Sequence, residues 1–119
     1  MLQQFAPGDI LIFQLESGYG LVRVLAIEGD PEDPVWHVAG FSDLFMDIDT
    51  ADEAISNYPS LTLSKPHMAL TNRAFESTQV AKMANVPITD AETATINDWR
   101  RNPGRKVSDR SVRLLLGLR

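Results

Sequence analysis

Residues Ile10-Leu11-Ile12-Phe13-Gln14-Leu15 form an almost unbroken apolar run. Side chains of an extended chain alternate between two faces, so such a run is apolar on both and reads as a strand buried in a core. The turn Ala6-Pro7-Gly8-Asp9 precedes it, and Glu16-Ser17-Gly18 follows. Proline presets φ and glycine supplies unusual backbone angles, so both segments punctuate the strand. Tyr19 to Glu28, rich in Val, Leu and Ile, predicts a second strand paired with the first as a hairpin or meander. Gly29-Asp30-Pro31-Glu32-Asp33-Pro34 predicts a loop that interrupts any ladder. Val35 to Phe41 predicts a third strand, with Trp36 and Val38 on one face and Val35, His37 and Ala39 on the other.

The second half mixes both periods. Thr50-Ala51-Asp52-Glu53 matches a capping box and predicts a short helix near 50–57, ended by Asn57 before Tyr58-Pro59. Leu61 to Leu63 and His67 to Leu70 predict short extended pieces around Pro66. Residues 75–86 fit helical and extended spacing alike, with a strand expected at Gln79 to Met83. Thr89-Asp90-Ala91-Glu92 is a second capping box, with acids at the positive end of the helix dipole. Its helix should run through Ile96 and Trp99 and stop at Asn102-Pro103-Gly104. Ser108 is predicted to cap a last helix from Asp109 to Leu116, with Val112, Leu115 and Leu116 as its apolar stripe and Gly117 as its C-cap. Trp99 and Leu115 should be buried, docking these helices on the sheet. The expectation is one α+β domain over 1–119: mainly β over 1–88, helical and basic over 89–119.

Charge is divided along the chain. The net charge is −5, yet seven cations lie from residue 99 onward: Arg100, Arg101, Arg105, Lys106, Arg110, Arg113 and Arg119. An acidic body with a basic end predicts either a tail packed on its own domain or one that meets an acidic partner or nucleic acid. Cysteine is absent, which excludes disulfides, thiolate metal sites and a cysteine nucleophile. No stretch approaches the ~18–20 apolar residues of a membrane span. The start Met1-Leu2-Gln3-Gln4-Phe5 lacks the regions of a signal peptide, and a cytoplasmic location is expected.

The chemistry-bearing residues form no recognisable catalytic motif. Asp47 and Asp49 match the first two ligand positions of a calcium loop, but Ala51 takes the third and no glycine turn follows. His37 and His67 stand far apart in sequence, neither with a partner at zinc-ligand spacing, and each is expected to be a satisfied strand-side histidine. Gly18-Tyr19-Gly20 precedes a strand, so it reads as a hairpin turn and not as a dinucleotide loop. No serine occupies a Gly-x-Ser-x-Gly elbow. No metal or other cofactor is expected.

Phe5-Ala6-Pro7-Gly8-Asp9-Ile10-Leu11, then Gly18-Tyr19-Gly20-Leu21-Val22-Arg23-Val24, then Trp36-His37-Val38-Ala39-Gly40-Phe41 resemble the opening of small SH3-like barrels. Two such families are similar over residues 5–41: CarD-like domains, which contact RNA polymerase, and immunity proteins of bacterial polymorphic-toxin systems. The chain departs from CarD-like proteins after residue 50. The resemblance implies a small antiparallel, partly open SH3-like β-barrel followed by two C-terminal helices, acting as a binding module. The function expected is therefore non-enzymatic binding of another protein, of an immunity or regulatory kind. Its contact surface would combine exposed aromatics, Tyr19, Phe41 and Phe45, with Asp43, Asp47 and Asp49. Tyr58, Asp30, Glu32 and Asp33 are further candidates, while Trp36 in mid-strand is expected in the core. One alternative is nucleic-acid or transcription-complex binding through Arg100, Arg101, Arg105, Lys106, Arg110 and Arg113. The other is a small enzyme or ligand-binding barrel using His37, His67 and the acidic loop.

Overall fold

A computed structural model describes residues 4–118; the opening Met1–Gln3 and the terminal cation Arg119 lie outside the described residues. The elements in chain order are β1 (Asp9–Leu15), β2 (Gly18–Asp30), β3 (Asp33–Phe41), α1 (Ile48–Ser56), a 3₁₀ turn (Tyr58–Ser60), β4 (Leu63–Leu70), α2 (Asn72–Ser77), β5 (Val80–Asn85), α3 (Asp90–Arg101) and α4 (Val112–Leu116). The five strands form one antiparallel open sheet in the order β4-β3-β2-β1-β5.

Helices cover both faces, which explains the first strand's composition. Leu11, Phe13 and Leu15 of β1 join Val22, Val24, Trp36, Val38, Met68 and Leu70 on one face, under Ala74 and Phe75 of α2 and Val112 of α4. Ile10 and Ile12 point the other way, with Leu21, Phe41 and Phe45, under Ala51 and Ile55 of α1. Farther along that second face, Leu25 and Ala39 receive Ile96 of α3. A bulge between Val24 and Ala26 shifts the β2–β3 register, so Ile27 pairs with Trp36 and packs against the first cluster. Trp36 is fully buried, stacked on Phe75 with centroids 3.8 Å apart. Its indole donates to Asn72 Oδ1 at 2.8 Å, which satisfies the ring's polar edge.

Several elements differ from the sequence expectation. The predicted loop at 29–34 is a hairpin: Gly29 pairs with Pro34 and Asp30 with Asp33 around a two-residue turn. Alternate pairs of an antiparallel ladder exchange no hydrogen bonds, and Pro34 falls beside the turn-closing pair, where its missing N–H goes unused. β4 runs unbroken through Pro66, which an edge strand tolerates at a register shift. The ambiguous 75–86 segment divides into the end of α2 and β5. The cap of α1 lies three residues earlier than expected: Asp47, not Thr50, is the N-cap, and it accepts from the Thr50 N–H at 2.8 Å. Ser108 caps nothing at the expected place. Its backbone instead bridges to the sheet at Leu70, so the last helix starts later, capped by Ser111. The Thr89–Glu92 capping box and the Gly117 C-cap stand as the sequence predicts.

Candidate functional site

The β3–α1 loop is fixed at one point and free on either side. Phe45 forms a two-hydrogen-bond bridge with Tyr19, at 2.8 and 3.0 Å, and its ring enters the core at 9% exposure. A side chain at residue 18 would strike the Phe45 carbonyl, so the close approach requires Gly18. Leu44 and Met46, on either side of this plug, are 60% and 87% exposed, and Ile48 at the start of α1 is 50% exposed. Asp43 accepts from the Thr62 N–H at 2.5 Å, tying the loop to the segment before β4. Asp47 accepts from the hydroxyl and backbone N–H of Thr50, which hold its carboxyl below the usual range. Asp49, Asp52 and Glu53 point into solvent. Among the described residues, no cation pairs with these carboxylates.

This placement corrects the expected contact surface. Phe41 is 3% exposed and lies at the base of an apolar groove of about 390 Å³, edged by Tyr58, Leu61 and Leu63. Phe45 is the buried plug and Tyr19 is half-buried beside it, so neither phenylalanine offers a free ring. The exposed apolar atoms belong to Leu44, Met46 and Ile48, which sequence reasoning missed. Leu44-Phe45-Met46 gives no sign of which side turns inward until the Tyr19 bridge sets the phase.

Much of the basic segment is occupied inside the molecule. Arg100 pairs with Glu28 of β2, Arg101 with Asp98, and the Arg113 Nε donates to the Gln14 carbonyl at 3.1 Å. Arg105 lies over the Trp99 ring, 5.8 Å from its centroid, and the indole donates to the Lys106 carbonyl at 3.0 Å. Lys106 and Arg110 are exposed.

Behind this segment the two histidines meet. His37 of β3 is buried; its Nδ1 lies 2.8 Å from the Nε2 of half-buried His67 on β4, and its own Nε2 lies 2.7 Å from Glu28 Oε1. Trp99 packs edge-on against His37 at 5.0 Å and tilts against His67 at 5.9 Å. A cleft of about 300 Å³ beside them is lined by Glu28, Val35, His37, Trp99, Arg100 and Arg105. Burial lowers both imidazoles, His37 below its ordinary value and His67 to about 4, the latter helped by the neighbouring ring. Among the described residues no hydroxyl hydrogen-bonds to either ring. No three His, Asp or Glu side chains there are placed to share a metal ion.

The geometry defines a small α+β domain: an open antiparallel sheet between two layers of helices, with an acidic apolar loop at the β3–α1 junction. No helix among the described residues is long and apolar enough to cross a membrane. No family model, curated protein or solved structure matches the chain.

Proposed function

We propose that this chain is a protein-binding module, of the immunity or regulatory kind, that engages a basic partner through the β3–α1 loop. The observation that carries the reading is the exposure of Leu44, Met46 and Ile48 among the unpaired carboxylates Asp47, Asp49, Asp52 and Glu53. Apolar side chains supply the buried centre of an interface, and surrounding like charge selects a partner of opposite sign and speeds encounter. The acidic balance of the first 98 residues acts in the same direction. The nucleic-acid alternative draws less support, because Arg100 and Arg101 are engaged by Glu28 and Asp98. The enzymatic alternative rests on His37 and His67. An imidazole held near 4 is a weak base at neutral pH, and among the described residues no hydroxyl hydrogen-bonds to it.

The test is co-expression of the tagged chain with the products of its flanking genes. One should co-purify, with an association rate that falls as salt rises. The double variant Leu44→Asp/Met46→Asp should weaken that complex at least tenfold, while Arg105→Ser/Lys106→Ser leaves it unchanged. A complex indifferent to the loop variant, or lost with the basic one, would overturn the assignment.

A further inference from the structure

Glu28, His37 and His67 come from three neighbouring strands and are roofed by the last turns of α3. Their protons are fixed by elimination. An ionised Glu28 only accepts, so His37 donates through Nε2–H. A neutral His37 then has a bare Nδ1, which must accept from the Nε2–H of His67. Every nitrogen of the buried ring is satisfied with both imidazoles uncharged.

We propose that this chain of three side chains is a proton-operated latch: acidification lifts the C-terminal turns of α3, with the basic segment Arg100 to Lys106, off a sheet that stays folded. The charged groups around the latch set the direction. Glu28 from β2 is its anion, already shared with Arg100 of α3; His67 faces His37 from β4; Arg105 lies over the Trp99 ring and lines the same cleft as His37, a further cation that opposes protonation. A first proton gains Glu28 and is opposed by Arg100. A second places two cations on nitrogens 2.8 Å apart under an aromatic lid. Once Trp99 and Arg100 lift away, water reaches both rings and their ordinary basicity returns. Opening therefore takes up protons, and acid favours it.

The N-terminal half of α3 is held by different means. Ile96 packs on Leu25 and Ala39, and Glu92 is gripped by buried Arg23 at 2.5 and 3.0 Å. The Glu92 carboxyl lies below its usual range, so this clamp stays ionised where the histidines titrate. Only the end of the helix near Asn102-Pro103-Gly104 is released.

Residue-resolved hydrogen exchange from pH 7 to 5, corrected for intrinsic rates, tests the latch. The opening constant for residues 97–101 should rise by up to about tenfold per pH unit for each proton taken up. Amides of β1 and β2 should keep their protection. His67→Gln can still donate to His37 Nδ1 but carries no titratable group, and it should remove most of the rise. Imidazole titration of the wild-type chain gives a second reading that needs no variant: both rings neutral at pH 7, with the His67 midpoint well below 6.5 and that of His37 lowered from it. A rise unchanged by His67→Gln, simultaneous loss of protection in β1 and β2, or a His67 that titrates as a solvated imidazole would each overturn the latch.

Discussion

Arg23 shows how much one residue can organise. It sits in the middle of β2, fully buried, where a cation is costly unless each donor is matched. It donates to both carboxylate oxygens of Glu92 and to the carbonyls of Gly8 and Pro87, and it lies over the Tyr58 ring at 5.2 Å. It thereby ties the turn before β1, the linker after β5 and the first turn of α3 to one strand. Breaking a buried pair from one side strands the other charge, so Arg23→Ala should lower stability by about 3–5 kcal/mol in denaturant unfolding. Arg23→Lys should recover little, because a point charge cannot span two carboxylate oxygens and two carbonyls. An unchanged midpoint for either variant would show that the clamp is dispensable. The sequence marks Arg23 only as a polar interruption in a valine-rich strand; its partners Gly8, Pro87 and Glu92, 15, 64 and 69 positions away, are invisible there.

At the scale of the element, local chemistry was most readable where the backbone resolves its own needs. The Thr89–Glu92 box works entirely within one helical turn: the Thr89 hydroxyl accepts from the Glu92 N–H at 3.2 Å, and Glu92 accepts from the Thr89 N–H at 3.0 Å. Thr89→Ala should cost about 0.5–2 kcal/mol. Because Glu92 also serves Arg23, the loss should also show as faster exchange in the first turn of α3; exchange that does not change would separate cap from clamp. The last helix shows the opposite. Ser108 and Asp109 carry a good local start signal, but the Ser108 N–H and C=O are taken by Ala69 and Thr71, and the Asp109 carboxylate by Thr71 and Arg73. Partners on the sheet outcompete a cap because they satisfy more backbone groups in the same place. Leu115 and Leu116 still reach the first core cluster, as their spacing predicts, but Leu115 and Trp99 are half-buried where full burial is expected, because each packs at the edge of its helix contact with the sheet.

For the whole molecule, the charge groups predict an acid response in two stages. Burial lowers His67 to about 4 in the fold against an ordinary 6.5. A histidine with a lowered folded pKa contributes stability that is complete above 6.5 and is lost as pH falls from there toward 4. For Glu92, burial opposes ionisation, but hydrogen bonds from Arg23 and Thr89 outweigh it and lower the carboxyl below 4.5. Asp9 is likewise buried, and bonds from Asn85, the Ala6 N–H and Lys82 hold it below 3.8. Their contribution is present above those ordinary values and is lost only as pH falls through the lower folded ones. Tryptophan emission followed from pH 8 to 2 should therefore change first between about 6.5 and 4, with far-UV strand signal retained, and the sheet should fail below that. A single cooperative transition at low pH would mean that the two sets of groups act as one.

The sequence by itself determined the α+β class, the first three strands, the α3 cap and the division of charge. Each of these follows from neighbours within a few residues, through alternation, helical periodicity or a reciprocal cap. Tertiary structure alone decided the open sheet order, which of Leu44, Phe45 and Met46 turns inward, and the meeting of Glu28, His37 and His67. Strand pairing joins residues by register across the sheet, and register is set by bulges, a glycine approach and competing hydrogen bonds that no local pattern records.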